Sequence, residues 1–153
     1  MAEPPAAPPP LPLNPLVSAQ MSRMPRRDSK PEMELRRALH QRGMRFRTHV
    51  DLPGRPDVAF TRAKIAVFLD GCFWHACPDH GVLPKNNCDW WRAKLEANVA
   101  RDRRKDEALA ELGWAVIHVW EHESASSAAD LIERVWSTRR HLPRAAGPTV
   151  LPL

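Results

Sequence analysis

The segment from Pro53 to His80, PGRPDVAFTRAKIAVFLDGCFWHACPDH, decides the fold and contains most of the reactive side chains. It opens with a turn signal, PGRP, and Asp57 stands where this turn leads into the apolar run 58–60. After a polar turn the run 65–69, IAVFL, is apolar throughout, which is typical of a strand covered on both faces. Pairing the two runs as a hairpin would bring Asp70 back beside Asp57. Two carboxylates at one sheet edge attract a hard cation such as Mg²⁺.

The composition allows one domain and favours a polyanionic partner. A chain of 153 residues can bury one hydrophobic core, but residues 1–20 contain seven of the sixteen prolines and one charged side chain, Glu3. We therefore expect a disordered arm at 1–20, a domain at 21–142 and a flexible tail at 143–153. The net charge of +5 and the clustered arginines favour nucleic acid, although basic patches also occur without a partner.

The sequence also limits the cellular compartment. No apolar run is long enough to cross a membrane, and the Pro-rich start lacks the basic and apolar regions of a secretory signal. The expected location is the cytoplasm, with no membrane partner. In that reducing compartment the three cysteines are interpreted as metal ligands or free thiols and not as disulfides.

Hydrophobic periodicity predicts the order α-β-β-β-α-β-α. A first helix begins at its N-cap Ser29, with Glu32 as the capping-box partner, and ends at Gly43. Segment 44–50 alternates apolar and polar residues and predicts a strand with one wet face.

A long helix from 90 to about 112, capped by Asp89, precedes a strand at 114–120 and a final helix at 128–138. These elements predict a three-layer α/β domain, in which helices cover a mixed sheet.

The long helix carries polar residues on the side that should face the core. Its inward stripe consists of Trp91, Leu95, Asn98, Asp102, Leu109 and Leu112. A buried polar group without a partner costs about 1–3 kcal/mol, so Asn98 and Asp102 predict a nearby cluster of metal, water and imidazole. The opposite face suits phosphate oxygens, or is simply solvated, and carries Arg101, Arg103, Arg104 and Lys105.

Cysteines and histidines cluster directly after the second apolar run. Cys72, Cys77 and His80 lie within reach of one ion, and His122 after the last strand could complete a tetrahedral, structural zinc site. The alternative is that both cysteines are small buried side chains and both histidines are surface residues. Cys88 is a spare thiol that we expect to be uninvolved.

The same segment contains a histidine and two aromatic residues with open assignments. His75 follows Asp70 by five residues, so its side chain could face the carboxylates. An imidazole in that position could shuttle a proton at neutral pH, although a lone histidine is more often structural. Phe73 and Trp74 belong either to the core or to an exposed wedge that enters between base pairs.

In this combination the residues resemble the very short patch repair endonucleases, the Vsr family, which is a branch of the PD-(D/E)XK nucleases. The matching segments occur in colinear order: KPE (30–32), LPGRPD (52–57), FLDGCFWHACPDHG (68–81), NVARDRRKDEALAELGW (98–114) and VWEHE (119–123). The resemblance implies a restriction-endonuclease-like fold with a structural zinc site.

The resemblance also implies an activity and its partners. The expected enzyme is an Mg²⁺-dependent endonuclease that nicks double-stranded DNA 5′ of the thymine of a T·G mismatch, left by deamination of 5-methylcytosine, and so starts very short patch repair. Other mismatch repair proteins and a DNA polymerase would act downstream. The protein is expected to be a monomer that is nucleoid-associated when bound to DNA.

Each matching position then acquires an implied role. Mg²⁺ would be held by Asp57, the Leu69 carbonyl and Asp70, while His75 handles protons and Glu32 orients water. The implied zinc ligands are Cys72, Cys77, His80 and His122. Phe73 and Trp74 would intercalate beside the mismatch, with Met21 entering from the opposite groove. Asn98 and Asp102, on the long helix, would support the residues that bind Mg²⁺ and transfer protons.

The chain departs from the family at the metal site. Leu69 stands where some relatives have Thr, and Asp70 where some have His, so direct and water-mediated binding of Mg²⁺ by Asp70 both stay open. The catalytic lysine usual in the wider fold is absent, as it is across this branch. The alternative functions are a zinc-stabilised DNA-binding module without catalysis and a nuclease of broader mismatch specificity.

Overall fold

The computed structural model describes residues 28–141, together with Pro15, Leu16, Ala19 and Arg23. Residues 28–141 contain three helices and three strands: α1 (Lys30–Gln41), β1 (Val58–Phe60), β2 (Ile65–Asp70), α2 (Cys88–Glu111), β3 (Ala115–Trp120) and α3 (Ala125–Arg139). The predicted intercalation by Met21 falls outside the described residues, as do the predicted tail and nearly all of the predicted arm. No helix in the described part of the chain is both long and apolar enough to cross a membrane.

The predicted hairpin is confirmed. β1 pairs antiparallel with β2, with Val58 opposite Val67 and Phe60 opposite Ile65. The backbone N–H of Asp57 donates to the carbonyl of Val67 at 3.0 Å, which extends the ladder by one residue beyond β1. The acid that precedes β1 therefore lies beside the end of β2.

A third strand completes a mixed sheet in the order β1-β2-β3. β3 runs parallel to β2, with Phe68 opposite His118 and Asp70 opposite Trp120. Helix α2 makes the long connection that a parallel pair requires. The predicted α/β class with a mixed sheet is confirmed, while the restriction-endonuclease-like fold stays a prediction.

Apolar side chains cover both faces of the sheet. Ile65 and Val67 of β2 belong to a core that also contains Leu35 of α1 and Ile132 of α3. The intervening Ala66 faces a second core with Leu109 of α2. This two-sided burial explains why β2 is apolar along most of its length, since a strand between two helical layers has no solvent-facing side.

The predicted strand at 44–50 is wrong. Within residues 28–141 this segment contacts the sheet through one isolated bridge, from Arg47 to Ala59. Arg47 donates to the Ala59 carbonyl at 2.8 Å and accepts from the Ala59 N–H at 2.9 Å. His49 then adopts a φ of +58°, which turns the chain out of the extended conformation and ends the pairing.

The long helix begins and ends earlier than predicted. Asn87 precedes it in the left-handed conformation, with φ of 55°, so Asp89 lies inside the first turn and is not the cap. At the other end the chain leaves the helix after Glu111, and Leu112 is 54% exposed. The assignment of Leu112 to the core-facing stripe is therefore wrong.

The other two helices show how the caps set their limits. Ser29 precedes α1 in an extended conformation, and Gly43 follows it with φ of +72°, both as predicted. The predicted capping box is wrong, because the Ser29 side chain accepts no backbone N–H and Glu32 accepts the N–H of Asp28. α3 begins three residues before the predicted start, because the Ser124 hydroxyl accepts the Ser127 N–H at 3.1 Å and caps the helix.

Candidate active site

The hairpin brings two acids to one edge of the sheet. The backbone N–H of Leu69 donates to Oδ2 of Asp57 at 2.7 Å, and Asp70 is the last residue of β2. Asp70 is 8% exposed. Both acids line a cavity of about 270 Å³, together with His75 and Asp102. The structure therefore brings these four predicted site residues together.

The charges in this cavity fit a divalent cation. Burial raises the pKa of Asp57 to about 6; the Leu69 N–H opposes this rise, the negative charges of Glu32 and Asp70 add to it, and Arg36 opposes it. Carboxylates that repel each other are stabilised in their ionised form when a cation binds between them. Oxygen donors of this kind are the ligands that Mg²⁺ prefers.

Glu32 lines a second cavity, of about 310 Å³, which Asp57 also lines. It is 7% exposed, and its carboxylate accepts the Asp28 N–H at 2.8 Å and the Ser29 hydroxyl at 3.2 Å. Arg36 Nη2 contacts Glu32 Oε2 at 3.4 Å and donates to the Asp57 carbonyl at 3.2 Å. Glu32 thus stabilises the start of α1 and is linked to Asp57 through Arg36.

His75 is oriented by a carboxylate from α2. Its Nδ1 lies 2.6 Å from Oδ2 of Asp102 and 3.9 Å from Oδ1 of Asp70. Among residues 28–141, Nε2 of His75 has no hydrogen-bond partner. Burial lowers the pKa of His75, but the bond with Asp102 and the charges of Asp70 and Asp102 outweigh it, so the pKa is raised. Burial raises the pKa of Asp102, yet the contact with His75 leaves it lowered overall.

A second histidine occupies the site, and sequence reasoning missed it. His118 on β3 has Nδ1 at 2.7 Å from Oδ2 of Asp70 and Nε2 at 2.9 Å from both oxygens of Asp106. Burial lowers the pKa of His118, but the two carboxylates raise it to about 10. The available signals were a histidine inside an otherwise apolar strand and an acid one helical turn after Asp102.

Two residues of α2 differ from their predicted surroundings. Lys105, assigned to the outer basic face, lines the active-site cavity, with Nζ 3.7 Å from Oδ1 of Asp102. Asn98, expected to meet metal, water or imidazole, donates instead to the carbonyl of Trp74 at 3.2 Å. Asp102 does meet an imidazole, that of His75.

The four predicted zinc ligands form one cluster. The ligand atoms of Cys72, Cys77, His80 and His122 all lie within 4.8 Å of one another. His122 Nδ1 is 3.0 Å from Sγ of Cys72 and 3.9 Å from Sγ of Cys77, which also lies 3.9 Å from Nδ1 of His80. Tetrahedral zinc with bonds of about 2.0–2.3 Å places its ligand atoms about 3.3–3.8 Å apart. The donor set therefore suits zinc, and the observed separations, from 3.0 Å up to 4.8 Å, lie on both sides of that range.

The loop that carries this cluster is tightly folded. The Cys77 N–H donates to the Cys72 carbonyl at 2.9 Å, and the Gly81 N–H donates to the Cys77 carbonyl at 2.8 Å. A Cβ atom on Gly81 would lie 2.5 Å from that carbonyl oxygen, so only glycine fits there. Cys88 lies at the start of α2 and is not a member of the cluster.

Aromatic rings form a surface patch beside the cavity. The ring centroid of Phe73 lies 5.0 Å from that of Trp74 and 5.3 Å from that of Trp91. Trp74 is 38% exposed. Trp90 joins the patch at 4.8 Å from Trp91. Trp91, expected on the core-facing stripe, packs instead against these two aromatic residues of the loop, which the sequence pattern did not show.

Sequence comparisons identify the class of protein. The family described as DNA mismatch endonuclease Vsr matches residues 16–79. The type II nicking enzyme V.NaeI of Lentzea aerocolonigenes is 44% identical over 139 residues, which cover 87% of this chain and 82% of the relative. The type II nicking enzyme V.XorIIP of Xanthomonas oryzae pv. oryzae is 44% identical over 114 residues, covering 71% and 82%.

The DNA mismatch endonuclease Vsr of Escherichia coli K12 is 39% identical over 108 residues, covering 68% of each chain. The matched proteins are endonucleases by name, and the identity extends over most of their length. This chain belongs to the Vsr family of DNA mismatch endonucleases, and the resemblance stated from the sequence is confirmed.

Proposed function

We propose that this chain nicks one strand of double-stranded DNA 5′ of the thymine of a T·G mismatch, with Mg²⁺, and so starts very short patch repair. The proposal rests chiefly on one observation: a hairpin-positioned pair of acids, Asp57 and Asp70, shares a cavity with an imidazole whose Nε2 is free to exchange a proton. The names of the relatives supply mismatched DNA as the substrate class.

Asp57, Asp70 and the carbonyl of Leu69 would hold the cation. Bound there, Mg²⁺ would polarise the scissile phosphate and lower the pKa of a water molecule. Asp57 is kept in place by the Leu69 N–H, so its second oxygen is directed by the backbone and not by a flexible contact. Glu32, which shares the neighbouring cavity with Asp57, would orient water from that side.

His75 would carry the proton transfer. The contact between Nδ1 and Asp102 leaves Nε2 for the reacting groups. A nearby carboxylate both orients an imidazole and stabilises its protonated form. Lys105, beside Asp102 at the same cavity, would supply a positive charge to a phosphate oxygen.

The aromatic patch would recognise the lesion. Phe73 and Trp74 would enter the base stack, with Trp91 packed behind them. Separating stacked bases costs a few kcal/mol and is least costly at a mispair. The exposed arginines of α2, Arg101 and Arg103, would contact phosphates. The endonuclease domain is proposed to comprise residues 21–142, with zinc at the Cys/His cluster.

The decisive experiment maps the nick on a strand-labelled oligonucleotide duplex. We expect a single cut 5′ of the mispaired thymine that requires Mg²⁺ and is absent from the matched duplex. Equal cutting of every mispair in all flanking sequences would show a broader mismatch nuclease. Binding without any cut would exclude the proposed reaction. The Trp74→Ala variant tests the role of the aromatic patch. We expect this variant to discriminate less between T·G and matched DNA.

A further inference from the structure

Asp70 has a neighbour that the proposed reaction does not use. His118 stands opposite Phe68 in the parallel pairing of β2 and β3, and its ring stacks on that of Phe68 at 5.3 Å between centroids. Nδ1 of His118 contacts Oδ2 of Asp70 at 2.7 Å. Asp106, one turn after Asp102 on α2, contacts Nε2 with both of its oxygens at 2.9 Å.

This geometry ties the imidazole to both acids. Each ring nitrogen of His118 faces a carboxylate oxygen at hydrogen-bond distance, so the ring bridges Asp70 and Asp106. Charge-assisted hydrogen bonds of this kind are roughly twice as strong as neutral ones.

The contact divides the two oxygens of Asp70 between different tasks. Oδ2 is engaged by His118, while Oδ1 lies 3.9 Å from Nδ1 of His75. A carboxylate oxygen that already accepts a charge-assisted hydrogen bond is a poorer donor to a cation, so this contact favours binding of the cation through Oδ1 alone. The side chains of Asp70, Asp106 and His118 are 11%, 21% and 27% exposed, so water competes only weakly for these contacts.

We propose that His118, braced by Asp106, is a positioning residue that holds Asp70 with a single oxygen facing the cation. This role rests on the proposed function and deepens it. A cation held by fewer protein oxygens keeps more of its water, and Mg²⁺ gives up water reluctantly. The consequence is a site tuned for weaker cation binding and for a retained water ligand.

The test is the His118→Leu variant of the full chain with its zinc bound. Removing the imidazole frees Oδ2 of Asp70 to bind the cation as well. We expect Mn²⁺, used as a spectroscopic substitute for Mg²⁺, to bind at least about fivefold more tightly. Nicking turnover should fall, with the KM for mismatched DNA unchanged. A purely structural role would weaken cation binding and turnover together.

Two further variants complete the design. His118→Phe keeps a ring that can stack on Phe68 but has no nitrogen to engage Asp70, and should tighten Mn²⁺ binding in the same direction; it decides the matter if His118→Leu does not fold. The control is His40→Leu, which removes an imidazole that stacks on Phe46 outside the cavity and should leave Mn²⁺ affinity unchanged.

Two results separate this role from the proposed function. Unchanged or weaker Mn²⁺ binding in folded His118→Leu, or in His118→Phe if His118→Leu does not fold, overturns the positioning role, even if the wild-type chain nicks the T·G duplex. If the wild-type chain neither binds Mn²⁺ nor nicks that duplex, the proposed function fails, and the positioning role fails with it.

Discussion

The acidic cavity and the Cys/His cluster are adjacent in the chain but are supported differently. Asp57 and Asp70 lie at strand ends, where backbone and histidine donors hold them. The cluster lies on loop 71–81 and on His122 just beyond β3, where backbone bonds within the loop hold the two cysteines near the histidines. The cavity is therefore built on the ends of paired strands, whereas the cluster is built on a loop and on a residue beyond the sheet.

This difference predicts that damage to the cavity and damage to the cluster have separable effects. Cavity substitutions should abolish nicking and leave the fold intact or stabilised. Cluster substitutions should cost metal, stability and nicking together, because structural zinc contributes directly to folding.

The largest expected effect is on catalysis. Asp57→Ala should reduce nicking of the T·G duplex by about 1,000-fold or more, because it removes a cation ligand worth several kcal/mol to the transition state. Zinc content and melting temperature should not fall. Gel-based nicking rates measure the catalytic loss, elemental analysis measures the zinc content, and thermal denaturation measures the melting temperature. The control is Glu111→Ala, which removes an exposed carboxylate at the end of α2 and should nick the T·G duplex at the wild-type rate. Nicking at the wild-type rate by Asp57→Ala would remove the acid pair from the mechanism.

The next largest effect is expected on zinc content and stability, from a substitution in the Cys/His cluster. Cys77→Ser should lose about one zinc per chain and lower the free energy of unfolding by about 3–5 kcal/mol. Elemental analysis and thermal denaturation measure these quantities. Cys88→Ser is the matched control, because Cys88 is a thiol outside the cluster, and it should retain both zinc and stability. A stable, zinc-free Cys77→Ser protein that still nicks would contradict a structural zinc site.

A smaller effect is expected for proton transfer. His75→Ala should lower kcat by about 100-fold, with DNA affinity retained. In Asp102→Asn the pKa of His75 should fall, because Asp102 raises it in the wild-type chain. The limb of the pH–rate profile that reports protonated His75 should then move to lower pH. Identical profiles for the wild-type chain and Asp102→Asn would show that His75 does not act as the acid.

The smallest effect is on stability and has the opposite sign. The pKa of Asp57 is about 6 in the folded chain, whereas an ordinary aspartate has a pKa of 3.8. Ionisation of Asp57 therefore has no effect on the free energy of unfolding below pH 3.8, lowers it progressively as the pH rises towards 6, and has its full effect above pH 6. Asp57→Asn should therefore stabilise the chain by about 1–2 kcal/mol at pH 7.5, after allowance for solvent screening, and by less at pH 5. Thermal denaturation without added Mg²⁺ tests this. Destabilisation at pH 7.5 would mean that burial does not raise the pKa of Asp57 in the folded chain.

Local patterns predicted the parts of the site that depend on short spans of chain. The turn at 53–56 and the two apolar runs define the hairpin, and a hairpin places its flanking residues together whatever surrounds it. Cys72, Cys77 and His80 likewise lie within one loop. The segment 44–50 shows the limit of this reasoning, because alternation indicates a strand only where a partner edge continues, and β1 has three residues.

The sequence by itself determined that the acid pair, the Cys/His cluster and His75 would lie close together, and it determined the family, because each depends on near neighbours or on a motif. Only the tertiary structure decided that His118 and Asp106 meet Asp70 and that Trp91 packs on the loop at 73–74. Those contacts depend on the parallel register of β2 and β3 and on the rotation of α2 about its axis. Both are set by packing across the whole core, which no single stretch of sequence encodes.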